Sequence, residues 1–395
     1  MVRKESSWIQ KRFLLIIGII FIAFNLRPAI TAVGPLIATI QKSLGINNLE
    51  AGFITTIPLI AFALFSPLVA KLSRKWGNER ILFFSLLLLA VGIFVRYSHN
   101  LWILYAGTLI IGSGIAVMNV LLPSVIKSDF PNRIGIMTSI YTTSMCSMAG
   151  LASGVSIPLS EGAGLGWEKS LVVWGILAII GILLWIPQLK VSHKPIENQG
   201  TSPLQSIWKS KTAWAVSIFF GFQSFVFYCV IAWLPAILLH KGMNENTAGW
   251  MLLFVQIIGL PATFFSPIIA SKLKRMWTAI AFIGLLNVLG FGGLIVFQQT
   301  GLLISSIALI GLSTGGSISL AYLIISTKAK DHQQAAELSG MAQAVGYLLA
   351  AVGPVLLGFT YDQAGVWLYP ILIIHLSNIL MISFGIRSVL PKARI

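Results

Sequence analysis

The sequence predicts an all-α membrane protein, with twelve transmembrane helices in two pseudo-symmetric six-helix bundles, on three observations. Of its 395 residues 56% are hydrophobic and only 10% charged, a balance that soluble domains do not normally reach. Apolar runs long enough to cross a hydrocarbon core, roughly 17 to 25 residues, recur along the whole chain. The second half also repeats a pattern found in the first.

In chain order the expected spans lie near 13–38, 49–70, 80–97, 101–125, 134–158, 167–187, 212–239, 247–270, 277–297, 301–326, 335–358 and 366–388. The first is too long for a signal peptide and lacks a small-residue cleavage site, so it is retained. The third and sixth are short but strongly apolar. The longest polar stretch lies between Pro187 and Lys211 and divides the spans six and six. The expected domains are therefore 1–190, a cytoplasmic linker at 191–211, and 212–395. Cys146 and Cys229 fall inside spans of different halves and read as buried thiols, with no disulfide or metal framework.

A net charge of +16 would suggest nucleic acid in a soluble protein. Here the basic residues alternate between loops. Lys42, Arg96, Lys169 and Lys241 lie on one side, Arg27 lies within a span, and every other Lys and Arg falls on the opposite side. The positive-inside rule then expects both termini in the cytoplasm of a bacterial-type plasma membrane, and a nucleic-acid partner becomes unnecessary.

Arg27 is the charge placed at mid-span. Such a charge costs about 2.5 to 3.5 kcal/mol on insertion scales and usually faces a cavity. The sequence sets no Asp or Glu at comparable depth, so the expected counter-charge is an anionic or strongly polar solute. At about 4 Å and an effective dielectric near 20, the attraction is roughly 4 kcal/mol before desolvation. On an ideal helix Ala23, Arg27, Thr31, Gly34 and Ala38 share one stripe. Asn25 falls opposite Arg27, unless Pro28 kinks the helix enough to move it.

The halves show their kinship in paired segments. AGFITTIPLIAFALFSPLVAKLSRKW at Ala51 is answered by AGWMLLFVQIIGLPATFFSPIIASKLKRMW at Ala248, and GINNLEAG at Gly45 by GMNENTAG at Gly242. With NLRPAITAVGPL at Asn25, LLPSVIKSDFPNR at Leu121, FYCVIAWLPAIL at Phe227 and ELSGMAQAVGYLLAAVGP at Glu337, the chain resembles the major facilitator superfamily. Within it, the resemblance is to the cyanate permease and 2-nitroimidazole transporter family. PLVAKLSRKWGNER resembles the superfamily's loop motif between spans two and three, but lacks its usual acidic residue.

That resemblance implies a solute site near the membrane midplane, lined by spans one, four, seven and ten, and rocking between two openings. Beyond Arg27, Thr31 and Asn25 it nominates Asn119, then Gln223, Ser224 and Tyr228 in span seven, and the Ser339, Gln343 and Tyr347 ladder in span eleven. For each, helix-to-helix bonding is the competing role. Tyr141 reads as packing. His375 is a candidate proton relay, with a structural role as its alternative, and Lys127, Asp129 and Arg133 are a candidate cytoplasmic gate facing Lys328, Lys330, Asp331 and Glu337.

The expected function is a secondary or facilitative transporter for a small anionic or weakly acidic, cyanate-like solute, with Arg27 selecting charge. The alternative is export of a neutral planar nitroaromatic or drug-like compound, with Tyr228 and Trp233 stacking on it. Scattered histidines without metal spacing, nucleophile motif or phosphate loop argue against an enzyme. No cofactor or metal is expected, and the partners are a small solute and the lipid bilayer, with the monomer as the working unit.

Overall fold

The computed structural model describes residues 2–190 and 205–390, so most of the expected linker, 191–204, lies outside the described residues. The helices in chain order are α1 (Val2–Asn25), α2 (Pro28–Thr31), α3 (Ile37–Leu44), α4 (Asn48–Trp76), α5 (Asn78–Val95), α6 (Leu101–Asp129), α7 (Ile134–Ile157), α8 (Gly166–Val172) and α9 (Gly175–Trp185). After the linker come α10 (Gln205–Lys209), α11 (Lys211–His240), α12 (Glu245–Lys272), α13 (Trp277–Val296), α14 (Thr300–Lys328), α15 (His332–Ala364) and α16 (Leu368–Val389).

Among the described residues, 11 stretches are long and apolar enough to cross a membrane. The fifth expected span is present as the 24-residue α7, but its Thr138, Ser139, Thr142, Thr143 and Ser144 make it too polar to count among them. Exposed Leu64, Leu68, Phe84, Leu348, Val355 and Phe359 give the helices apolar outer faces, as lipid requires.

Two compact units emerge. The first holds Met1–Leu122 and Ser144–Thr201, the second Pro123–Thr143 and Ser202–Ile395. This division differs from the expected 1–190 and 212–395 in that the end of α6 and the start of α7 fall in the second unit.

Lipid is as apolar as leucine, so helices associate through close approach and hydrogen bonds rather than through the hydrophobic effect. In the first unit α1 lies on α9. Gly18 makes room for the Trp185 ring, which a Cβ there would meet at 2.7 Å, and Trp185 Nε1 donates to Glu79 O at 2.9 Å. In the second unit α11 packs on α15 and α12 on α14. Gly315 is pressed against the Gly259 backbone and Thr263, and Gly259 against Gly311 O.

The duplicated segments adopt the same turn. Gly45 and Gly242 take positive φ, 66° and 87°, a conformation that Gly enters without a Cβ clash. Two residues later Asn47 Oδ1 accepts from Glu50 N at 2.9 Å, and Asn244 Oδ1 from Thr247 N at 2.8 Å, so an Asn N-cap starts both α4 and α12.

Candidate functional site

The first span is a broken helix, which overturns the single stripe expected from an ideal wheel. Pro28 has no N–H for Phe24 O, and Pro35 has none for Thr31 O. α1 therefore stops at Asn25, and Arg27 sits outside helical geometry at φ −126°, ψ −39°. The short α2 turn, a 3₁₀ turn at Gly34–Leu36 and α3 follow. Gly34 and Ala38, expected beside Arg27, are exposed.

Arg27 is 6% exposed, and it makes further interactions within the fold. Its carbonyl accepts from Ile30 N and Thr31 N, both at 2.9 Å. Thr31 Oγ1 lies 3.2 Å from Arg27 O and 3.1 Å from Ala149 O on α7. Ser153 Oγ donates to Thr31 O at 3.2 Å, supplying the bond that Pro35 withholds. Asn25 Nδ2 donates to Phe21 O at 2.8 Å and to Leu177 O at 3.0 Å, which ties α1 to α9 and accounts for its burial.

Arg96 corrects the sequence reading, which assigned it to an aqueous loop. It caps the end of α5 and is 2% exposed. Its Nη1 donates to Ala29 O at 2.7 Å, while Nε and Nη2 meet no acceptor among the described residues. A guanidinium does not lose its proton in a protein, so Arg96 carries its charge here. Gly92 and Gly107 let α5 and α6 close around it: a Cβ on Gly107 would lie 2.8 Å from Arg96 N and 2.9 Å from Gly92 O. The available signal in the sequence was Gly92 four residues ahead of Arg96, which places both on one helix face.

Asn119 is fully buried in α6 and engaged. In the second unit Gln223 Nε2 donates to Ser224 Oγ at 2.6 Å, and Gln343 Nε2 to Ser339 Oγ at 3.0 Å. The other amide atom of each, Oε1, is buried with no donor among the described residues. Tyr347 packs on Phe220, ring centroids 5.5 Å apart, and half-buried Tyr228 meets Phe227 at 5.4 Å. Trp233, expected to stack on solute in the alternative reading, instead donates to Pro354 O at 2.8 Å and packs on Trp367.

His375 on α16 faces Phe291 at 6.4 Å, beside the apolar cluster that holds Ile371 and Ile374. Of the candidate gate, Lys127 and Asp129 are half-buried and Arg133 is exposed. At the same end of α6, Ser124 Oγ donates to His332 O at 2.6 Å, a bond within the second unit. Lys330 N donates to Gln334 Oε1, and Gln334 N to Asp331 Oδ1, both at 2.7 Å. Asp331 thus serves as the N-cap of α15.

The family model of the Major Facilitator Superfamily matches residues 14–354. The chain is 47% identical to an uncharacterized transporter, YycB, of Bacillus subtilis over 94% of this chain and 92% of that one. It is 37% identical to the 2-nitroimidazole transporter of Escherichia coli, over 95% of each, and 24% identical to that organism's cyanate transport protein CynX, over 90% of this chain and 91% of that one. Among solved structures, the human organic anion transporter MFSD10 superposes with a TM-score of 0.75 at 13% identity, over 95% of this chain and 99% of that one.

Proposed function

Because the chain belongs to the Major Facilitator Superfamily, and within it to the cyanate and 2-nitroimidazole transporter group, we propose that this transporter selects a small anionic or weakly acidic solute through Arg27. The carrying observation is a buried guanidinium at the break of the first span. A guanidinium offers five donors in a planar fork, matched to flat groups with paired oxygen or nitrogen acceptors. Cyanate and nitroimidazolate are both compact, acceptor-bearing conjugate bases of weak acids; the nitro group offers the fork a pair of oxygens, and the linear cyanate offers one terminal atom at a time. Within the second unit, the buried amides of Gln223 and Gln343 each keep one oxygen with no donor among the described residues, and they are that unit's own polar candidates.

The protein works by alternating access as a monomer in a bacterial-type inner membrane, with both termini cytoplasmic. A second reading is transport of the neutral nitroaromatic, favoured by the higher identity to the 2-nitroimidazole transporter. Counterflow in proteoliposomes separates the two. Exchange of cyanate that grows with the anion fraction supports the first, and exchange of 2-nitroimidazole that grows as it is neutralised supports the second. Arg27→Lys keeps the charge but loses the fork; wild-type KM and turnover in that variant would remove Arg27 from either reading.

A further inference from the structure

We propose that Arg96 is a positioning residue for the solute site: Pro28 and Pro35 break the first span, and by holding Ala29 O Arg96 anchors the turn between them and so fixes where Arg27 stands. This rests on the reading of Arg27 given above. The argument is an accounting of the carbonyls at the break. Arg27 O accepts from Ile30 N and Thr31 N, Pro28 O from Ala32 N, and Ile30 O from Val33 N at a long 3.3 Å. In a continuous helix Val33 N would donate to Ala29 O. Here Arg96 Nη1 occupies that carbonyl at 2.7 Å.

The Arg96 bond therefore answers a carbonyl that the turn leaves without its helical donor. Shifting the turn would draw Ala29 O away from Arg96, which is buried at 2% exposure with Nε and Nη2 already unmet among the described residues. An ionised donor left unsatisfied in a buried site is costly. The turn is thus held in place, and Arg27, two residues before Ala29, is held with it. Arg96 has little freedom to yield, because Gly107 of α6 lies against its backbone.

The experiment compares solute counterflow kinetics of Arg96→Met, Arg96→Lys, Arg27→Lys and the Arg96→Met/Arg27→Lys pair with wild type, alongside thermal unfolding. Arg96→Met removes a buried charge but leaves Ala29 O without its side-chain donor, so it is expected to melt modestly below wild type. Its KM is expected to rise about ten-fold, the usual loss for a hydrogen bond to a charged group. Lysine can still donate to Ala29 O, so Arg96→Lys should recover most of that affinity. The double variant should be no worse than the worse single one, since both changes act on the same group.

A merely structural Arg96 would lower melting temperature and active fraction without moving KM, and that result overturns the proposal. So does a fully multiplicative double variant. If Arg27→Lys alone leaves KM unchanged, the Arg27 reading fails instead. Should Arg96→Met not accumulate in the membrane, Arg96→Leu, which also lacks a donor, carries the same expectations.

Discussion

Tyr141 and Tyr322 meet edge to face, ring centroids 5.3 Å apart and planes at 72°. Tyr322 meets Phe220 at 5.6 Å, and Phe220 meets Tyr347 at 5.5 Å. One buried aromatic chain thus threads α7, α14, α11 and α15 inside the second unit. The sequence reading assigned Tyr141 to packing, and this is the packing it enters. Edge-to-face pairs contribute about 0.5–1.5 kcal/mol beyond area burial. A double-mutant cycle of Tyr141→Ala and Tyr322→Ala, followed by thermal unfolding, is expected to return a coupling energy in that range, and a coupling of zero would contradict the contact.

Glycine placement gives a paired expectation. A Cβ on Gly315 overlaps the Gly259 backbone and approaches Thr263 Oγ1 at 2.6 Å, so Gly315→Ala should force α12 and α14 apart. Overpacking of this kind costs about 1–3 kcal/mol. Gly292 on α13 has nothing within 4 Å of the same position, so Gly292→Ala should be neutral or stabilising by up to about 1 kcal/mol through helix propensity. The melting temperature should fall in Gly315→Ala and hold or rise in Gly292→Ala.

At the start of α15, Asp331→Ala removes an N-cap whose carboxylate accepts from Gln334 N at 2.7 Å. The loss should be about 1 kcal/mol, with Asp331→Asn close to wild type. Hydrogen exchange at the first turn of α15 should report it, accelerating in the alanine variant and not in the asparagine one.

His375→Gln should leave the pH dependence of transport unchanged. The ring faces Phe291 beside an apolar cluster, which gives it a packing role. Uptake measured across a pH series in both proteins checks this; a shifted pH midpoint in the variant would restore the relay.

The spans were legible because hydropathy and length are local properties of the chain, and the repeat was legible because it is written in residues. The break in the first span was only half legible. Pro28 announced a kink, but the stripe through Gly34 and Ala38 assumed a continuous helix, and Pro35 was needed to see why it could not continue. Arg96 was hidden for a different reason. A charge at the end of an apolar run looks the same in sequence whether it faces water or turns inward, and only the Gly92–Gly107 approach and the open Ala29 carbonyl decide between them. The role of Asn25 likewise depends on α9, more than 150 positions away in the chain, which no local pattern reveals.

The turn shared by Gly45–Asn47 and Gly242–Asn244 has a wider consequence. Each starts a long helix with chemistry contained in a few consecutive residues, a left-handed glycine followed by an asparagine cap, and owes nothing to its neighbours. The entry to α4 and the entry to α12 are therefore interchangeable parts, except that Glu50 returns a bond to Asn47 N where the second copy carries Thr247. A duplicated bundle can diverge freely along its spans while these short cassettes keep both copies in the same helical phase.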